Sequence, residues 1–278
     1  MAKVWFITGV SSGFGKELAR IVIEKGDLVA ATFRKKELAT DFTEQYKGKG
    51  IGIVVDVTKE DQVKAGVQQA LQVFQKTDVL VNNAGHGTMG AIEEFSMEEI
   101  RAQMETNFFG AMAVTKEVLP ILRKQGSGHI VQISSVAGFR ATAGFGLYNA
   151  SKFALEGFSE ALAQEVAPFG IKVTIVEPGP FRTEFLGTSM KPAERKIDDY
   201  QQSAVGQTYA YAERMNGKQE GDPKKAAQAI VDYVYSDRKA LRLPLGRIPV
   251  QSIRAKIAQV EEDVKTNEDI AFSTIYPD

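Results

Sequence analysis

The 278-residue sequence contains no cysteine and only two histidines, His86 and His129. Without cysteine the chain has no disulfide, no thiolate ligand for zinc and no cysteine nucleophile. The two histidines do not have the His-Glu-x-x-His spacing of a helical zinc site, so we expect no metal. The lack of cysteine also fits a cytoplasmic protein, which is the location we expect.

Long apolar runs are missing as well. No stretch approaches the roughly 20 uninterrupted apolar residues of a membrane span, and the apolar run near the N-terminus is too short for the core of a signal peptide. Charge of one sign is not in excess, since 34 Lys and Arg face 35 Asp and Glu. The resulting field is too weak to attract nucleic acid or an anionic membrane, so we expect a small-molecule partner.

The sequence does have a series of short, continuous apolar runs. Such runs are typical of strands buried on both faces of a parallel sheet, whereas half-buried strands alternate. Segments with helical periodicity separate them, which predicts an α/β fold with a doubly wound parallel sheet of about seven strands and helices on both faces. The predicted strands cover 4–7, 28–33, 51–55, 79–82, 129–134, 172–176 and 241–245.

The chain shows no internal boundary, because the alternation continues from residue 3 to residue 176 without a linker or a repeat. We therefore expect a single domain over 1–278. After Pro178 the pattern loosens, and the polar stretch over about 180–222 predicts a lid inserted over a site. A helix is expected over about 223–235. A helical tail over about 246–278 is expected to cover the sheet edge, shape the pocket, join subunits or simply present a solvated face.

The first predicted strand ends in TGVSSGFG, which places Gly9, Gly13 and Gly15 directly before a helical segment. Such a turn brings backbone N–H groups and a helix N-terminus against a pyrophosphate, and side chains would block that approach. The motif therefore predicts a dinucleotide site, with a tight turn that binds no ligand as the alternative.

The second predicted strand ends without the acid that binds an adenosine ribose. Phe33 stands in its place, and Arg34, Lys35 and Lys36 follow at a helix start, where positive charge opposes the helix dipole. This basic cluster favours NADP(H) over NAD(H); the alternative is a solvated surface run. Asp56, which ends the third strand, either accepts a hydrogen bond from the adenine amino group or caps the next helix.

Further motifs follow in order: NNAG at 82–85, Asn107 in ETNFFG, Ser135, YNASK at 148–152 and EPGPFRT at 177–183. With the glycines, this set resembles the short-chain dehydrogenase/reductase family, in its short-chain branch, over residues 3–245. The resemblance implies a Rossmann fold, a nicotinamide dinucleotide and hydride transfer. Within the family, the chain resembles the carbonyl reductase and 17β-hydroxysteroid dehydrogenase-like members. The tail after LRLPLG, long for the family, is similar to the steroid- and retinoid-dehydrogenase-like subgroup, a weaker match than the core motifs.

The resemblance also implies roles for individual residues. Tyr148 is the acid and base, Lys152 its cation, Ser135 the serine of the site, and Asn107 the asparagine that holds a relay water; the adjacent Ser134 matches less well. The residues implied to contact the cofactor are Gly9, Ser11, Ser12, Gly13, Phe14, Gly15, Arg34, Lys35, Asp56, Val57, Asn83, Ala84, Gly85, Tyr148, Lys152, Pro178, Gly179, Phe181 and Thr183.

These residue types also suit carbonyl reduction on chemical grounds. Hydride delivered to a ketone carbon leaves an alkoxide, which needs a proton from a donor already aimed at it. A free tyrosine has a pKa of about 10, so a nearby cation must favour its phenolate. Tyr148 and Lys152 are about one helical turn apart and share a face if the segment is helical. Taken alone, the pair is equally an exposed edge of an amphipathic helix.

Apolar and aromatic residues after Ser135 and in the proposed lid predict a wide apolar pocket, although each is equally suited to packing the lid against the body. His86 either lines this pocket or has a structural hydrogen-bonding role, and His129 is expected to be structural. The predicted pocket residues are His86, Phe139, Phe145, Phe185, Leu186 and Met190.

These features together predict the NADPH-dependent, reversible reduction of a ketone or aldehyde wider than acetone. The family often forms homodimers or homotetramers, and we expect one of these assemblies. The alternative is a catalytically silent dinucleotide-binding sensor or scaffold of the same fold. Such a protein is expected to lack Ser135, Tyr148 or Lys152, and all three are present.

Overall fold

A computed structural model describes residues 2–276 of the chain. Strands and helices alternate, and the predicted bounds of the seven sheet strands agree with those observed to within two residues. The first half contains β1 (Val4–Ile7), α1 (Gly13–Glu24), β2 (Leu28–Phe33), α2 (Lys36–Gln45), β3 (Gly50–Val54), α3 (Glu60–Phe74), β4 (Val79–Asn82), β5 (Gly87–Met89), α4 (Met97–Met104) and α5 (Gly110–Gln125). The second half contains β6 (Gly128–Ile133), α6 (Gly146–Val166), β7 (Ile171–Pro178), β8 (Met190–Pro192), α7 (Ala204–Met215), α8 (Pro223–Tyr235), β9 (Arg242–Leu245), α9 (Arg247–Thr266) and α10 (Glu268–Phe272).

Seven strands form one parallel sheet in the order β3-β2-β1-β4-β6-β7-β9. In register, Ile7 lies beside Ala31 of β2 on one side and Val81 of β4 on the other. The strand order reverses between β1 and β4, and the carboxyl ends of these two strands leave a crevice there. The predicted doubly wound Rossmann sheet is confirmed.

The continuous apolar strands supply two separate cores, because alternate side chains point to opposite faces of the sheet. Trp5 and Ile7 of β1 pack with α1 and α8, whereas Phe6 between them packs with α3 and α5. The same division holds for β4, where Leu80 faces the second core. Helices on both faces thus explain why the strands lack alternation.

The segment 180–222 contains more regular structure than its loose sequence pattern predicts. Its strand β8 pairs in parallel with β5 in a small two-stranded sheet, which aligns Gly87 with Met190. A 3₁₀ turn at Asp198–Gln202 and the helix α7 follow. The sequences of β5 and β8, GTM and MKP, are too short to give a strand pattern, so the contact between them was not predictable.

Within residues 2–276, each helix is too short or too polar to cross a lipid bilayer. The same residues contain no group of three or more His, Cys, Asp or Glu side chains placed to hold a metal ion.

Candidate active site

A cavity of about 1080 Å³ opens at the carboxyl ends of the parallel strands. Residues after β1, β2, β3, β4, β6 and β7 form its wall, together with the start of α6, the segment 180–222 and the first turns of α9. The cavity brings together most of the predicted site residues: Gly9, Ser11, Ser12, Gly13, Phe14, Arg34, Asp56, Val57, Asn83, Ala84, Gly85, His86, Ser135, Phe145, Tyr148, Lys152, Pro178, Gly179, Phe181, Thr183, Phe185, Leu186 and Met190.

Four predicted site residues do not line the cavity. Gly15 lies beneath the turn, Lys35 is exposed at the start of α2, and Asn107 is buried behind the wall. Phe139 differs most from its expected place, because its ring lies against the guanidinium of Arg242, 5.0 Å from the ring centroid, and this cation–π contact turns it away from the cavity.

The turn after β1 needs its glycines for two physical reasons. Gly9 has φ +70° and Gly13 has φ +57°, a region that other residues rarely adopt. A Cβ on Gly9 would also lie 2.8 Å from Cα of Ala84, and one on Gly15 would lie 2.4 Å from the carbonyl oxygen of Gly9. The turn therefore packs directly on the segment after β4, and Gly13 begins α1, whose first N–H groups lack helical partners.

Hydrogen bonds fix the segment after β4 to this turn. The Nδ2 amide of Asn83 donates to the carbonyl oxygens of Thr8 and Gly9, both at 2.9 Å. The hydroxyl oxygen of Thr8 accepts from the backbone N–H groups of Asn83 and Ala84 at 2.9 and 3.0 Å. The side chain of Asn83 thus braces the turn, and Asn83, Ala84 and Gly85 line the cavity.

The basic cluster divides at the cavity edge. Arg34 lines the cavity, whereas Lys35 and Lys36 are exposed at the start of α2. Phe33 is buried in the core beneath α2, so no carboxylate stands at the end of β2. The Oδ1 atom of Asp56 accepts from the N–H and the hydroxyl of Thr58 at 3.0 and 2.8 Å, so this side chain caps its own turn while also lining the cavity.

Helix α6 carries the tyrosine and the lysine on one face. Further along the same face, Leu155 and Leu162 are buried in the body and anchor the helix. Tyr148 is 8% exposed, and burial raises its pKa to about 12, while an interaction with Ser135 acts in the opposite direction. The phenol is therefore a neutral donor at ordinary pH.

Lys152 is buried beside this phenol. Its ammonium donates to the carbonyl oxygen of Ile133 at 2.7 Å and lies 5.9 Å from the centroid of the Tyr148 ring. Burial lowers the lysine pKa to about 8, and the charge of Glu156 opposes that shift. Below this pH the cation acts on the phenol through space, without a direct hydrogen bond between them among the described contacts.

Ser135 follows β6 and caps the short 3₁₀ turn Val136–Gly138. Its Oγ atom accepts from the N–H of Ala137 at 3.1 Å and lies 3.5 Å from the carbonyl oxygen of Pro178. The hydroxyl thus lies between the phenol and the segment after β7. Ser134 is also buried, but its Oγ atom is close to Glu156.

Asn107 lies in a π-helical turn, Glu105–Phe109, that separates α4 from α5. Its amide accepts from the N–H of His86 at 3.0 Å and donates to the carbonyl oxygen of His86 at 2.9 Å and to the hydroxyl of Ser151 at 3.1 Å. The side chain therefore braces the cavity wall at His86. Burial, and then the charges of Lys191, Arg34 and Lys152, lower the pKa of His86 to about 4, so its ring is neutral at pH 7.

His129 is buried within the sheet, as expected for a structural histidine. Its Nε2 atom lies 2.8 Å from the hydroxyl of Thr174, and burial lowers its pKa to about 4.

The apolar part of the cavity is assembled from distant segments. Phe185 lies over the phenol, with ring centroids 5.4 Å apart, and belongs with Leu186 and Phe145 to a cluster around Met89 and Met190. Tyr209 does not line the cavity, and its hydroxyl donates to the carbonyl oxygen of Met89 at 2.8 Å. Tyr211, another aromatic residue of the proposed lid, does line it. Sequence reasoning missed several lining residues, since no motif marks them: Thr188, Gln207, Thr208, Ile248 and Ser252.

Sequence reasoning also missed a charged cluster behind α6. Arg242 of β9 forms ion pairs with Glu156, Glu160 and Glu177. Burial, and then the charge of Glu156, raise the pKa of Glu177 to about 7. Because Glu177 directly precedes Pro178 and Glu156 lies one turn beyond Lys152, the cluster ties the two sides of the site together. No spacing in the sequence signals this contact between α6, β7 and β9.

The chemistry of this cavity fits a dinucleotide. Gly9 and Gly13 of the glycine turn line the cavity, the N-terminus of α1 favours an anion, and Arg34 adds positive charge to the same wall. The polar and the apolar parts of the wall meet at Tyr148.

A comparison with protein families matches residues 3–194 to the short chain dehydrogenase model. Among curated relatives, "Oxidoreductase BOA17" of Botryotinia fuckeliana is 38% identical over 247 residues, which cover 88% of this chain and 89% of the relative. The "3-ketodihydrosphingosine reductase" of Bacteroides thetaiotaomicron is 40% identical over 256 residues, which cover 91% of each chain.

Solved structures show the same similarity. A short-chain dehydrogenase from Streptomyces avermitilis superposes with a TM-score of 0.91 at 39% identity and covers 99% of this chain and 100% of its own. An alcohol dehydrogenase from Thermococcus sibiricus, complexed with 5-hydroxy-NADP, has a TM-score of 0.71 at 25% identity and covers 88% of this chain and 96% of its own.

Proposed function

This chain belongs to the short-chain dehydrogenase/reductase family, and from that premise we propose that it uses NADPH to reduce a ketone or an aldehyde to an alcohol, reversibly, in the cytoplasm. The observation that carries the proposal is the burial of Tyr148 and Lys152 on one face of α6, at the cavity wall and next to Ser135. A neutral phenol, a buried cation and a hydroxyl at one point are the groups that carbonyl reduction needs.

The dinucleotide would be held by the glycine turn, by the backbone at Asn83–Gly85 and by the segment Pro178–Thr183. When bound, it supplies the hydride from C4 of its nicotinamide to the carbonyl carbon. Ser135 donates a hydrogen bond to the carbonyl oxygen and orients it. Tyr148 transfers its proton to that oxygen as negative charge develops there.

Lys152 stabilises the phenolate that this transfer leaves behind. The phenolate is buried, so its formation is costly unless a positive charge is close. The ammonium supplies that charge below pH about 8, where Lys152 is protonated. Asn107 acts indirectly by holding the backbone of His86 against the site.

The cofactor preference rests on the end of β2. Arg34 lines the cavity where the adenosine ribose is expected, and the buried Phe33 leaves no carboxylate to repel a 2′-phosphate. A guanidinium binds phosphate oxygens through paired hydrogen bonds, which supports NADP(H) over NAD(H).

A bulky or hydrophobic substrate fits the other half of the cavity. Phe145, Phe185, Leu186 and Met190 line it, and the segment 180–222 acts as a lid over it. The name of the Bacteroides relative specifies a ketone of a long-chain base, which is the same chemical class.

The test is NADPH and NADH oxidation with a panel of aliphatic, aromatic and steroid ketones and aldehydes. We expect turnover with at least one bulky carbonyl and a higher kcat/KM with NADPH. Tight NADPH binding without turnover of any carbonyl would instead identify the silent sensor or scaffold.

A further inference from the structure

The helix α9 leaves the body of the molecule after its first turns. Among its described residues only Pro249 is buried, and Ile248 and Ser252 line the cavity. From Ile257 to Tyr276 every described residue is exposed. The exposed part of α9, residues 257–266, is short enough to be marginal as an isolated helix in water, and it lacks the packing that stabilises most helices.

An apolar stripe continues from the half-buried turns of α9, which carry Val250 and Ile253, into its exposed part. Val250, Ile253, Ile257, Val260 and Val264 follow the alternating three- and four-residue spacing of a coiled-coil seam, and we call them the α9 stripe. Ile257 is 55%, Val260 43% and Val264 58% exposed. A seam of this kind binds a second helix with the same spacing.

The charges beside the α9 stripe are segregated along the helix. The basic residues Arg254 and Lys256 precede its midpoint, and the acidic residues Glu261 and Asp263 follow it. Within the described residues, Arg254 and Lys256 form no salt bridge. Glu261 contacts Lys265 at 3.5 Å, but an exposed pair of this kind contributes little and leaves the carboxylate free to bind elsewhere.

We propose that the α9 stripe binds the α9 stripe of a second copy of this chain in an antiparallel pair. This register places Ile257 against Val260 of the second copy and Ile253 against Val264. It also brings Arg254 to Glu261 and Lys256 to Asp263 of the second copy. The two-fold axis makes each contact twice, so one basic half always meets one acidic half.

The other occupants of the seam fit less well. A parallel pair places Lys256 beside Glu261 and Asp263 beside Glu268 of the second copy, so its attractive contact is offset by a repulsive one, whereas both contacts of the antiparallel register are attractive. A membrane-surface helix needs an excess of Lys and Arg on its polar face, whereas residues 247–272 contain five acids and four bases.

The first experiment measures the particle mass of the full chain by sedimentation equilibrium. The double variant Ile257→Glu with Val260→Glu is expected to halve the mass of the wild-type particle. Ala255→Glu, on the opposite side of the same helix, is the matched control and is expected to keep that mass. Circular dichroism shows whether the fold is retained. An unchanged mass in the double variant, or a wild-type particle of a single chain, contradicts the proposal.

The second experiment tests orientation and uses the absence of native cysteine. Ile253→Cys and Val264→Cys are made as separate variants, mixed and oxidised. An antiparallel pair gives a disulfide between the two different variants and little within either one, because the matching positions lie at opposite ends. Disulfides within each variant alone contradict the antiparallel arrangement.

The third experiment separates charge from apolar contact. Arg254→Glu is expected to raise the dissociation constant of the antiparallel pair at least about 5-fold, since it places a glutamate beside Glu261 of the second copy. Adding Glu261→Arg is expected to restore it, and failure of that rescue contradicts the register. Vesicles of phosphatidylcholine and phosphatidylserine test the membrane: wild-type binding that the Ile257→Glu, Val260→Glu variant loses would assign the stripe to lipid instead.

Discussion

The two halves of the cavity are built by different means. The half around the glycine turn is shaped by backbone. Gly9 has a left-handed φ and packs against Ala84, and the side-chain amide of Asn83 donates a hydrogen bond to the carbonyl oxygen of Gly9. The half around Phe185 is shaped by side chains from the segment 180–222 and from α9. The first half follows local backbone rules, whereas the second depends on how distant segments pack. Tyr148 lies at the boundary between the two halves, so a substitution of Tyr148 is expected to affect the reaction between the cofactor in one half and the substrate in the other.

The largest effect is expected from Tyr148→Phe. The variant removes the proton donor and keeps the ring, so kcat is expected to fall at least about 100-fold while NADPH affinity is kept. Steady-state turnover and fluorescence titration with NADPH measure the two quantities on one sample. Tyr46→Phe, which removes a hydroxyl directly after α2 and outside the cavity, is the control. Retained turnover in Tyr148→Phe would contradict the assignment of Tyr148 as the proton donor.

The backbone half is tested by Gly9→Ala. The left-handed φ and the contact with Ala84 predict a loss of about 2 kcal/mol in the free energy of unfolding and at least about a 10-fold rise in the Kd for NADPH. Gly26→Ala separates the two causes, because Gly26 has φ +94° with open space around it. That control is expected to lose stability without a change in Kd; an equal change in both variants would mean that strain alone weakens binding.

Arg34→Ala tests what distinguishes NADPH from NADH within the same half. Loss of charged hydrogen bonds to a phosphate costs about 1.5–3 kcal/mol, which corresponds to at least about a 10-fold rise in the KM for NADPH. The KM for NADH is expected to stay nearly constant. Lys35→Ala, at an exposed position outside the cavity, is expected to have a smaller effect. Equal effects of Arg34→Ala on the KM values of both cofactors would mean that the basic cluster Arg34–Lys36 is only a charged surface and does not recognise the 2′-phosphate.

The side-chain half is expected to respond differently. Leu186→Ala removes apolar contact from the cavity wall, so the KM of a bulky ketone is expected to rise about 5-fold, with that of a small ketone and that of NADPH little changed. Initial rates with the two ketones measure the difference. A rise in the KM for NADPH of the same size would show that the two halves are not separate.

The smallest expected effect is the change in the rate of carbonyl reduction with pH. Lys152 is cationic below its lowered pKa of about 8 and neutral above it, so the rate of carbonyl reduction is expected to fall as the pH rises through this value, to about half at pH 8. Tyr148, with a pKa near 12, remains protonated over the same range. The pH profile of kcat tests this, with NADPH affinity measured at each pH. A flat profile up to pH 10 contradicts the role of the Lys152 charge.

Most predicted residues of both halves line the cavity, but only the backbone half could be argued from local rules. Gly9, Gly13 and the pair Tyr148 and Lys152 follow local rules of spacing and conformation, as do the strands of the sheet. Met190 reaches the cavity only because β8 pairs with β5, and three-residue strands carry no readable pattern.

Phe139 shows the limit of such reasoning. It follows Ser135 closely in the chain, and its apolar type suited a pocket. Its ring instead contacts Arg242, which is distant in sequence and is itself held by Glu156 and Glu177. Contacts between β7, β9 and α6 follow from the assembled sheet. The apolar type of Phe139 was therefore insufficient to predict where its ring lies. The π-helical turn that carries Asn107 is likewise unmarked in the sequence.

The central claim is that this cavity transfers hydride from NADPH to a carbonyl carbon. NADPH carrying deuterium at both hydrogens of C4 tests it directly when the enzyme is incubated with the ketone panel and the alcohol products are examined by mass spectrometry and NMR. The account predicts an alcohol with one deuterium on the carbinol carbon and a hydroxyl proton from the solvent. NADPH binding without any labelled alcohol, from any ketone of the panel, would contradict it.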